Sequence, residues 1–459
     1  MDGPLSGNGD TTTYRYDNAR RVTGVISPDP DGGGSLPRRA EKRGYDPAGR
    51  LTSVELGTVT GTDDTAWAAF ASAQQLAIGY DANSRKVREV VTAGSVTHRV
   101  TEYSYDALGR IECAAVRMNP AVWSTPASAC VLTTAGSAGP DRITKYSYDA
   151  VGRQTRVQTG YGVSGVQADE VTATYTDNGQ IASVTDAEGN KTTYEYDGHD
   201  RLRKTRYPST TQGSGTSSTT DYEELGYDAG SNVTSLRKRD GRTIAYGYDA
   251  LDRVTSKTYP DGGARAVHYG YDLRGLLTAA RFDSVSGSDA VLNAWDALGR
   301  QTSSITSMGG TSRTLTQGHD ASGNRTWIAH PDGQYFDYHY HSTGQLYFAQ
   351  HNGATPLFHP TYDALGRAAS LLRLNVPAWN WTFGTNFAYD GVSRLSSQGH
   401  VFTNSGANVT TAFTHNPASQ IASRTRDNDD YGFTGFASVN RGYAVNGHNQ
   451  YTGAGGAAL

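Results

Sequence analysis

The chain has 459 residues, with 41 basic and 45 acidic side chains and a formal net charge of −4. Neither a basic stripe nor a run of like charge occurs, so nucleic acid is not the expected partner. A stretch of 18 apolar residues is absent, and residues 1–13 lack the basic and apolar segments of a signal peptide. Tyr is abundant, at 29 residues against 11 Phe and 3 Met. We therefore expect Tyr to carry much of the packing, because its ring buries apolar area while its hydroxyl stays hydrated or hydrogen-bonded.

A six-residue pattern, Tyr-Asp-x-x-Gly-Arg, recurs along the whole chain. Allowing one or two substitutions per copy, seventeen copies begin at Tyr16, Tyr45, Tyr80, Tyr105, Tyr148, Tyr175, Tyr196, Tyr227, Tyr248, Tyr271, Trp295, His319, Tyr340, Tyr362, Tyr389, His415 and Val445. The tightest spacing is 21 residues, and longer spacings indicate insertions. This pattern predicts a repeat array.

The residue types of the pattern predict a hairpin loop. Asp in the second position favours the start of a type I turn, and Gly three places later favours a left-handed residue that completes a three-residue loop. Other residues lose roughly 1 to 2 kcal/mol in that conformation. Nine copies have Gly there, and Asp200, Asp252 and Asn449 are expected to tolerate it. The residues that best define these turns are Tyr45, Asp46, Gly49, Arg50, Tyr105, Asp106, Gly109, Arg110, Tyr148, Asp149, Gly152, Arg153, Tyr248, Asp249, Arg253, Asp296, Gly299, Arg300, Tyr362, Asp363, Gly366 and Arg367.

Alternation of apolar and polar residues around the turns, as in 192–196 and 244–248, predicts strands on both sides. Consecutive hairpins then form an all-β, antiparallel meander of about thirty strands, too many for an open twisted sheet that does not curl. We expect it to coil into a spiral ribbon around a cavity. The segment Ala66 to Gln75 is the one helix expected, from the helical spacing of its apolar residues.

The domain organisation predicted is a tail, residues 1–13, followed by one continuous array, residues 14–459, since the composition shows no break. Residues 27–39 and 209–220 are interpreted as loop insertions. Ten of the 34 Arg occupy the last position of the pattern. Their planar side chains are expected to reach carboxylates or carbonyls of the neighbouring turn, which Lys does less well.

Other chemistry is weakly indicated. His339 and His341 on one strand could face the same way, as a metal site needs, but no third ligand is fixed by spacing and no metal or cofactor is predicted. Asp-x-x-Gly lacks the alternating oxygen ligands of a calcium loop. Cys113 and Cys130 fit either a disulfide across the long insertion after Tyr105 or two unpaired thiols.

The seventeen copies, several with Tyr-Asp-Ala-Leu-Gly-Arg in full, resemble the Rhs or YD-repeat family. This family includes bacterial polymorphic toxins, shell subunits of insecticidal toxin complexes and the teneurin shell. The resemblance implies a hollow spiral β-shell that encloses a polypeptide, commonly a toxin, with secretion or display on the bacterial surface. It implies no active site.

Toxin members end the array with an Rhs core that cleaves itself, and no such core follows the weak copy at Val445. Autoproteolysis and toxicity are therefore not carried over. The expectation is an incomplete shell, a fragment of a longer one or one wall of an assembly, whose terminal repeats are the least stable.

Three function classes follow. The leading prediction is a non-catalytic container or scaffold for a polypeptide cargo, completed by the rest of a longer shell. The alternative is a carbohydrate- or surface-binding module, in which Trp379 and Trp381 beside Asn380 stack on glycans. An enzyme grafted into a loop is the third class, but no Gly-x-Ser-x-Gly elbow, His-Glu-x-x-His motif or P-loop occurs.

Overall fold

The computed structural model describes residues 3–4, 9–260, 262, 264–375, 380–403, 405–430, 442–448, 450–455 and 457–458. Within them the fold is all-β, as the repeat predicts. The helical elements described are one short α-helix, α1 (Asp64–Ala68), and two 3-10 turns, Pro120–Val122 and Ser405–Ala407. The prediction of a nearly helix-free chain is confirmed.

The strands follow one another with the turns between them. The first seventeen are β1 (Thr13–Tyr16), β2 (Val22–Ile26), β3 (Arg38–Tyr45), β4 (Leu51–Val59), β5 (Ala71–Tyr80), β6 (Lys86–Ala93), β7 (Val96–Tyr105), β8 (Ile111–Val116), β9 (Arg142–Tyr148), β10 (Gln154–Thr159), β11 (Ala168–Tyr175), β12 (Ile181–Asp186), β13 (Lys191–Tyr196), β14 (Leu202–Pro208), β15 (Ser217–Tyr227), β16 (Val233–Arg237) and β17 (Thr243–Tyr248). The others are β18 (Val254–Thr258), β19 (Val267–Tyr271), β20 (Leu277–Phe282), β21 (Ala290–Trp295), β22 (Gln301–Met308), β23 (Thr311–His319), β24 (Arg325–Ala329), β25 (Tyr335–Tyr340), β26 (Leu346–His351), β27 (Thr355–Tyr362), β28 (Ala368–Asn375), β29 (Asn380–Tyr389), β30 (Leu395–Phe402), β31 (Val409–His415), β32 (Ile421–Arg426), β33 (Tyr443–Val445), β34 (Tyr451–Ala454) and β35 (Ala457–Ala458).

Strands β1 to β32 belong to one open antiparallel sheet, and β33 to β35 form a second, small one. Most strands adjacent in sequence pair with each other, as β3 does with β4 and β17 with β18. The register shifts by one residue just before the first position of the repeat, for example between Gly44 and Tyr45 and between Gly247 and Tyr248. A bulge at this point is typical of a strand that enters a tight hairpin loop.

The helix predicted over Ala66 to Gln75 is largely wrong. Helix α1 ends at Ala68, and β5 begins at Ala71 and pairs with β4, where Leu76 lies opposite Val54. The side chain of Asp63 caps α1 by accepting a hydrogen bond from the backbone N–H of Ala66. Pairing with β4 therefore determines the structure of most of this segment in spite of its weak helical spacing. Only its first residues, up to Ala68, are helical.

By contacts within the chain, the protein divides into two compact units. The first consists of residues 1–143 and 317–434, and the second of residues 144–316 and 435–459. Inside the first unit, residues about three hundred positions apart meet, as the Ser342 hydroxyl donates to the Asp29 carbonyl at 2.8 Å. A cavity of about 360 Å³ in the same unit lies where Val392 faces Val54 and Leu76.

The buried apolar side chains of the described residues include no aromatic ring. Ile26, Ala40 and Val59 form a buried cluster on which Trp67 and Phe70 pack. The Trp67 ring lies so close to Gly24 that any side chain at Gly24 would collide with it. No helix of the described residues is long and apolar enough to cross a membrane.

Candidate functional site: the interlocked turn edge

Thirteen copies of the repeat have Asp in the second position, and each of these folds as a turn closed by that Asp. At Asp106, the backbone N–H of Gly109 donates to the Asp106 carbonyl at 3.0 Å, and the Asp106 N–H donates to the Arg110 carbonyl at 2.9 Å. The Asp106 side chain accepts from the N–H groups of Leu108 and Arg110 through Oδ1, and from Arg110 Nε at 2.7 Å through Oδ2. One carboxylate thus binds two backbone N–H groups and one side chain of its own loop.

The fifth position of the pattern is left-handed in every copy that the structure describes. Gly109 has φ of 80°, Gly299 of 77° and Gly366 of 78°. The anticipated replacements Asp200 and Asp252 also have positive φ, whereas Asn449 lies outside the described residues. Five further non-glycine residues take this conformation without having been predicted to: Arg20, Ser84, Ser231, Ser393 and Ser419.

The Arg in the sixth position joins its own turn to the next one. Arg201 bonds to Asp197 of its own turn at 2.7 Å, and its Nη1 donates to the carbonyl of Asp228 in the following turn at 3.1 Å. Arg253 likewise reaches the carbonyl of Asp272 at 3.2 Å. The sequence predicted a contact with carboxylates or carbonyls of the neighbouring turn. In the structure the carboxylate belongs to the same turn and the carbonyl to the next.

The same Arg also covers the aromatic ring of the next turn. The guanidinium carbon of Arg201 lies 4.5 Å from the centroid of the Tyr227 ring. Cation–π contacts of this kind recur at Arg21 and Tyr45, Arg50 and Tyr80, Arg85 and Tyr105, Arg153 and Tyr175, Arg253 and Tyr271, and Arg367 and Tyr389. Such contacts contribute about 0.5 to 1 kcal/mol when exposed and more when desolvated.

The Tyr of each pair donates its hydroxyl back to the preceding repeat. Tyr227 Oη bonds the carbonyl of Leu202, the residue after Arg201, at 2.6 Å, and Tyr271 Oη bonds that of Val254 at 2.8 Å. Trp295 replaces Tyr in one copy, and its Nε1 donates to the Leu277 carbonyl at 3.0 Å. The indole keeps the donor, which explains why Trp is accepted at this position.

The turn carboxylates are held in their charged form. The hydrogen bond from the Arg201 side chain, with backbone N–H groups of the loop, lowers the pKa of Asp197 to about 2. The backbone N–H of Arg50 lowers the pKa of Asp46, and the Arg253 side chain that of Asp249. Hydrogen bonds to the charged form account for the shifts.

The predicted turn residues comprise the Asp, the Gly and the Tyr of the motif, and each type has its own place in the turns. Asp46, Asp106, Asp149, Asp249, Asp296 and Asp363 each accept from the Arg four positions on, and Gly49, Gly109, Gly152, Gly299 and Gly366 are left-handed. Tyr45, Tyr105 and Tyr248 donate to carbonyls of the preceding repeat. The rings of Tyr148 and Tyr362 are half-buried.

Of the two alternatives that the sequence left open for Cys113 and Cys130, the structure has the disulfide. The insertion after Tyr105 also contains a buried ion-pair cluster that the sequence did not predict. There the buried Arg117 bonds Glu102 at 2.5 Å and Asp141 at 2.8 Å. Burial raises the pKa of Asp141, but hydrogen bonds from the Met118 and Thr133 N–H groups outweigh it and leave the pKa lowered. Partners so far apart in sequence give no local signal.

The histidines around His339 pack against aromatic rings. His339 stacks on Phe348 with 4.1 Å between centroids, and His341 meets Tyr347 edge-on at 4.9 Å. Burial lowers the pKa of His341 and of His359, which also contacts Tyr347. Among the described residues no group of three His, Cys, Asp or Glu is placed to hold a metal ion.

The structure does not describe the side-chain positions of the tryptophans that were predicted to stack on glycans. Trp379 lies outside the described residues, and Asn380 and Trp381 are described only as the start of β29. Carbohydrate binding by these residues stays a prediction.

The repeated turns and the sheet are similar to those of known proteins. A profile of the RHS repeat family matches residues 175–212 and 227–264, which contain four of the turns. No curated protein matches the chain significantly.

Among solved structures, a crystal structure of TcdB2-TccC3-TEV is similar to 91% of this chain at a TM-score of 0.60 and 14% identity. A crystal structure of TcdB2-TccC3 and a Tc holotoxin pore of Photorhabdus luminescens with a substitution in TccC3 each align with 88% of the chain at 15% identity, both with a TM-score of 0.40. The chain spans 23% of the length of the TcdB2-TccC3-TEV chain.

The sheet and its turn edge define a structural β-repeat protein. Residues 175–212 and 227–264 are RHS repeats, and the sheet that contains them has the fold seen in the TcdB2-TccC3-TEV structure.

Proposed function

We propose that residues 14–459 form a non-catalytic repeat array that, together with further chain of the same repeat type, encloses or scaffolds a polypeptide cargo, a toxin. The observation that supports this most is the use of the repeat's own residues. The Asp and Arg of the motif bond within their turn or to the next one, as Asp197 and Arg201 do, and Arg201 also covers the ring of Tyr227 in the next turn. Because these side chains are engaged in contacts within and between turns, we expect the motif to build a wall and not to carry out a reaction.

The scarcity of aliphatic side chains supports the same proposal. A wall that faces water or a polar cargo on both sides needs amphipathic rings rather than a dry core. The 0.60 TM-score likeness to a TcdB2-TccC3 structure supports the fold of such a wall. The Cys113–Cys130 disulfide supports a place outside the reducing cytosol, at the bacterial surface or after secretion.

The experiment is purification of the full chain from its native source under mild conditions, followed by protease treatment and mass spectrometry. We expect a second polypeptide to co-purify and to resist the protease until the chain is unfolded. The matched control is the double variant Arg201→Gln and Arg253→Gln, which should release that polypeptide to the protease.

Two results would contradict the proposal. One is a chain that carries no protected polypeptide. The other is selective, saturable binding on a glycan array by a chain that carries none, which would favour the surface-binding module instead.

A further inference from the structure

The first compact unit contains a cavity beside the interlocked turns. It measures about 360 Å³ and lies between one face of β4 to β7 and the turn that joins β29 to β30. Sites for small ligands typically measure about 300 to 1,000 Å³ and combine apolar walls with a few convergent polar groups. The cavity is large enough for such a ligand, so the chemistry of its walls decides which ligand it suits.

The floor of the cavity is a row of apolar side chains that crosses three strands. Val54 on β4 lies opposite Leu76 on β5, and Leu76 lies opposite Val91 on β6. Residues directly opposite each other in neighbouring strands project from the same face of a sheet. Leu56, two positions after Val54, extends this face. All four side chains are half-buried, so the floor presents apolar surface to the cavity.

The row ends on β7 in two side chains that donate hydrogen bonds. Arg99 lies opposite Val91. The register then shifts, since Thr92 pairs with Thr97, and this leaves His98 as the extra residue of a bulge. Bulges re-aim side chains, and both His98 and Arg99 line the cavity. A guanidinium and an imidazole therefore converge at one end of the apolar floor.

The guanidinium of Arg99 has no partner of its own. Arg99 is half-buried, and within the part of the chain that the structure describes it makes neither a hydrogen bond nor an ion pair. Arg394, which also lines the cavity, is by contrast held by the Asp of its own turn. Glu89, on which the charge of Arg99 acts, accepts instead from Lys86 at 2.7 Å and from Tyr103 at 2.8 Å. A half-buried cation without a partner favours an anionic ligand.

The roof of the cavity is the turn between β29 and β30, which is held close to the sheet. The Ser393 hydroxyl donates to Gln74 Oε1 at 3.4 Å. A Cβ on Gly391 would lie 2.6 Å from the Ala93 Cβ, so glycine is required for this approach. Val392, between these two turn residues, lines the cavity from above. The ligand space therefore has apolar groups on two sides and the cation at one end.

We propose that this cavity binds an organic monocarboxylate with an extended apolar chain. The carboxylate accepts the paired N–H groups of Arg99, whose planar fork matches its geometry, and an N–H of the His98 ring. The chain lies along Val91, Leu76 and Val54. Neighbouring strands lie about 4.8 Å apart, so the row from Arg99 to Leu76 spans roughly 10 Å, which suits a chain of medium length such as octanoate. This ligand site is in the wall itself and holds whether or not a cargo is enclosed.

The test is isothermal titration calorimetry of the full-length protein with octanoate. We expect saturable binding, with an affinity that rises from butanoate through hexanoate to octanoate by up to about fourfold for each added methylene. Octanol has the chain without the carboxylate and should bind at least about tenfold more weakly. Methyl NMR signals of Leu76, Val91 and Val392 should shift with the same dissociation constant, which locates the ligand.

Substitution of the cation tests the carboxylate contact. Arg99→Gln should weaken octanoate binding about tenfold, as loss of a charge-assisted hydrogen bond implies. Arg99→Lys should weaken it less, because the ammonium keeps the charge without the planar fork. The matched control is Arg313→Gln, since Arg313 is exposed on β23, and it should leave binding unchanged.

Substitution of the roof tests the position of the chain. Val392→Phe should fill the cavity from above and abolish binding. Leu298→Phe is the matched control, because Leu298 holds the same motif position and is 74% exposed, and it should bind octanoate normally. Denaturant midpoints show whether the variants fold. The proposal is overturned by no saturable binding at millimolar octanoate, by equal affinity for octanol and octanoate, or by binding that neither Arg99→Gln nor Val392→Phe weakens.

Discussion

Arg253 and Tyr271 stand eighteen residues apart on consecutive turns, and the guanidinium of the first lies over the ring of the second at 4.8 Å. Arg253 also bonds Asp249 of its own turn and the carbonyl of Asp272 on the next. One side chain therefore closes its own loop and fixes the position of its neighbour. The repeat motif is a connector between hairpins, as well as a turn signal.

The first prediction concerns this connector. Arg253→Gln should lower the free energy of unfolding by about 1 to 2 kcal/mol, because it removes the cation–π contact and charge-assisted hydrogen bonds. Arg253→Lys should recover only part of this loss, since an ammonium cannot supply the planar fork. Denaturant unfolding measures both. Arg313→Gln, on an exposed position of β23, is the control and should change little; similar losses at Arg313 and Arg253 would contradict the connector role.

The second prediction concerns the left-handed position. Gly109→Val should destabilise the protein by about 1 to 2 kcal/mol because of the positive φ rather than crowding, since the nearest atom to a new Cβ would be Arg85 Nη1 at 3.7 Å. Leu108 is 73% exposed, so Leu108→Val should be mild. Equal tolerance at the two neighbouring sites in denaturant unfolding would mean that the backbone at Gly109 is not constrained.

The turn chemistry explains how much of the fold the sequence could predict. Asp and Gly act within a loop of a few residues, so their spacing predicts the hairpins and the meander. Left-handed Ser84 and Ser393 were not predicted because loop closure by the Asp and Arg hydrogen bonds, rather than the preference of Ser, sets their conformation.

Contacts between repeats were harder to predict. The Arg-to-Tyr distance in sequence varies with each insertion, as between Arg50 and Tyr80 and between Arg253 and Tyr271. The predicted helix at Ala66 to Gln75 was largely wrong because pairing with β4 determines the structure of Ala71 onward. Tertiary partners decide such segments, and a single sequence does not show them.

The third prediction concerns the disulfide. Cys113 and Cys130 close a loop with a sequence separation of 17. Replacing both by Ala should destabilise the protein by about 3 kcal/mol in the chain-entropy account. The melting temperature of the unaltered protein should fall on reduction to that of the double variant. A melting temperature that reductant leaves unchanged, with both thiols shown to be free, would contradict a stabilising role.

The fourth prediction concerns acid. The folded-state pKa of Asp197 is about 2, below its ordinary value of 3.8, so the folded protein binds this proton less readily than the unfolded chain does. The stability it contributes is present above pH 3.8 and should be lost as the pH falls from there to about 2. Asp197→Asn should reduce this loss, measured as the urea midpoint against pH. An unchanged acid profile would show that the Arg201 contact is absent in solution.

The last prediction concerns His341 and His359, which both contact the Tyr347 ring edge-on, with centroid distances of 4.9 and 5.1 Å. Burial lowers both pKa values, and the charge of His341 lowers that of His359 further, while Asp31 acts on His341 in the opposite sense. Because the folded state favours the neutral rings, the unfolded chain binds more protons below about pH 6.5. Stability should therefore hold above that pH and decrease as the pH falls below it.

The measurement is hydrogen exchange of β25 to β27 at pH 7.5 and pH 5, corrected for the intrinsic pH dependence of exchange. We expect faster opening of these three strands at the lower pH, while β4 to β7 keep their protection. His359→Phe should remove most of the difference, because it keeps an aromatic ring against Tyr347 and cannot be protonated. His199→Gln, in an exposed turn, is the control and should leave the profile as it is. Acid opening that persists in the His359→Phe variant would place the sensitive group outside this cluster.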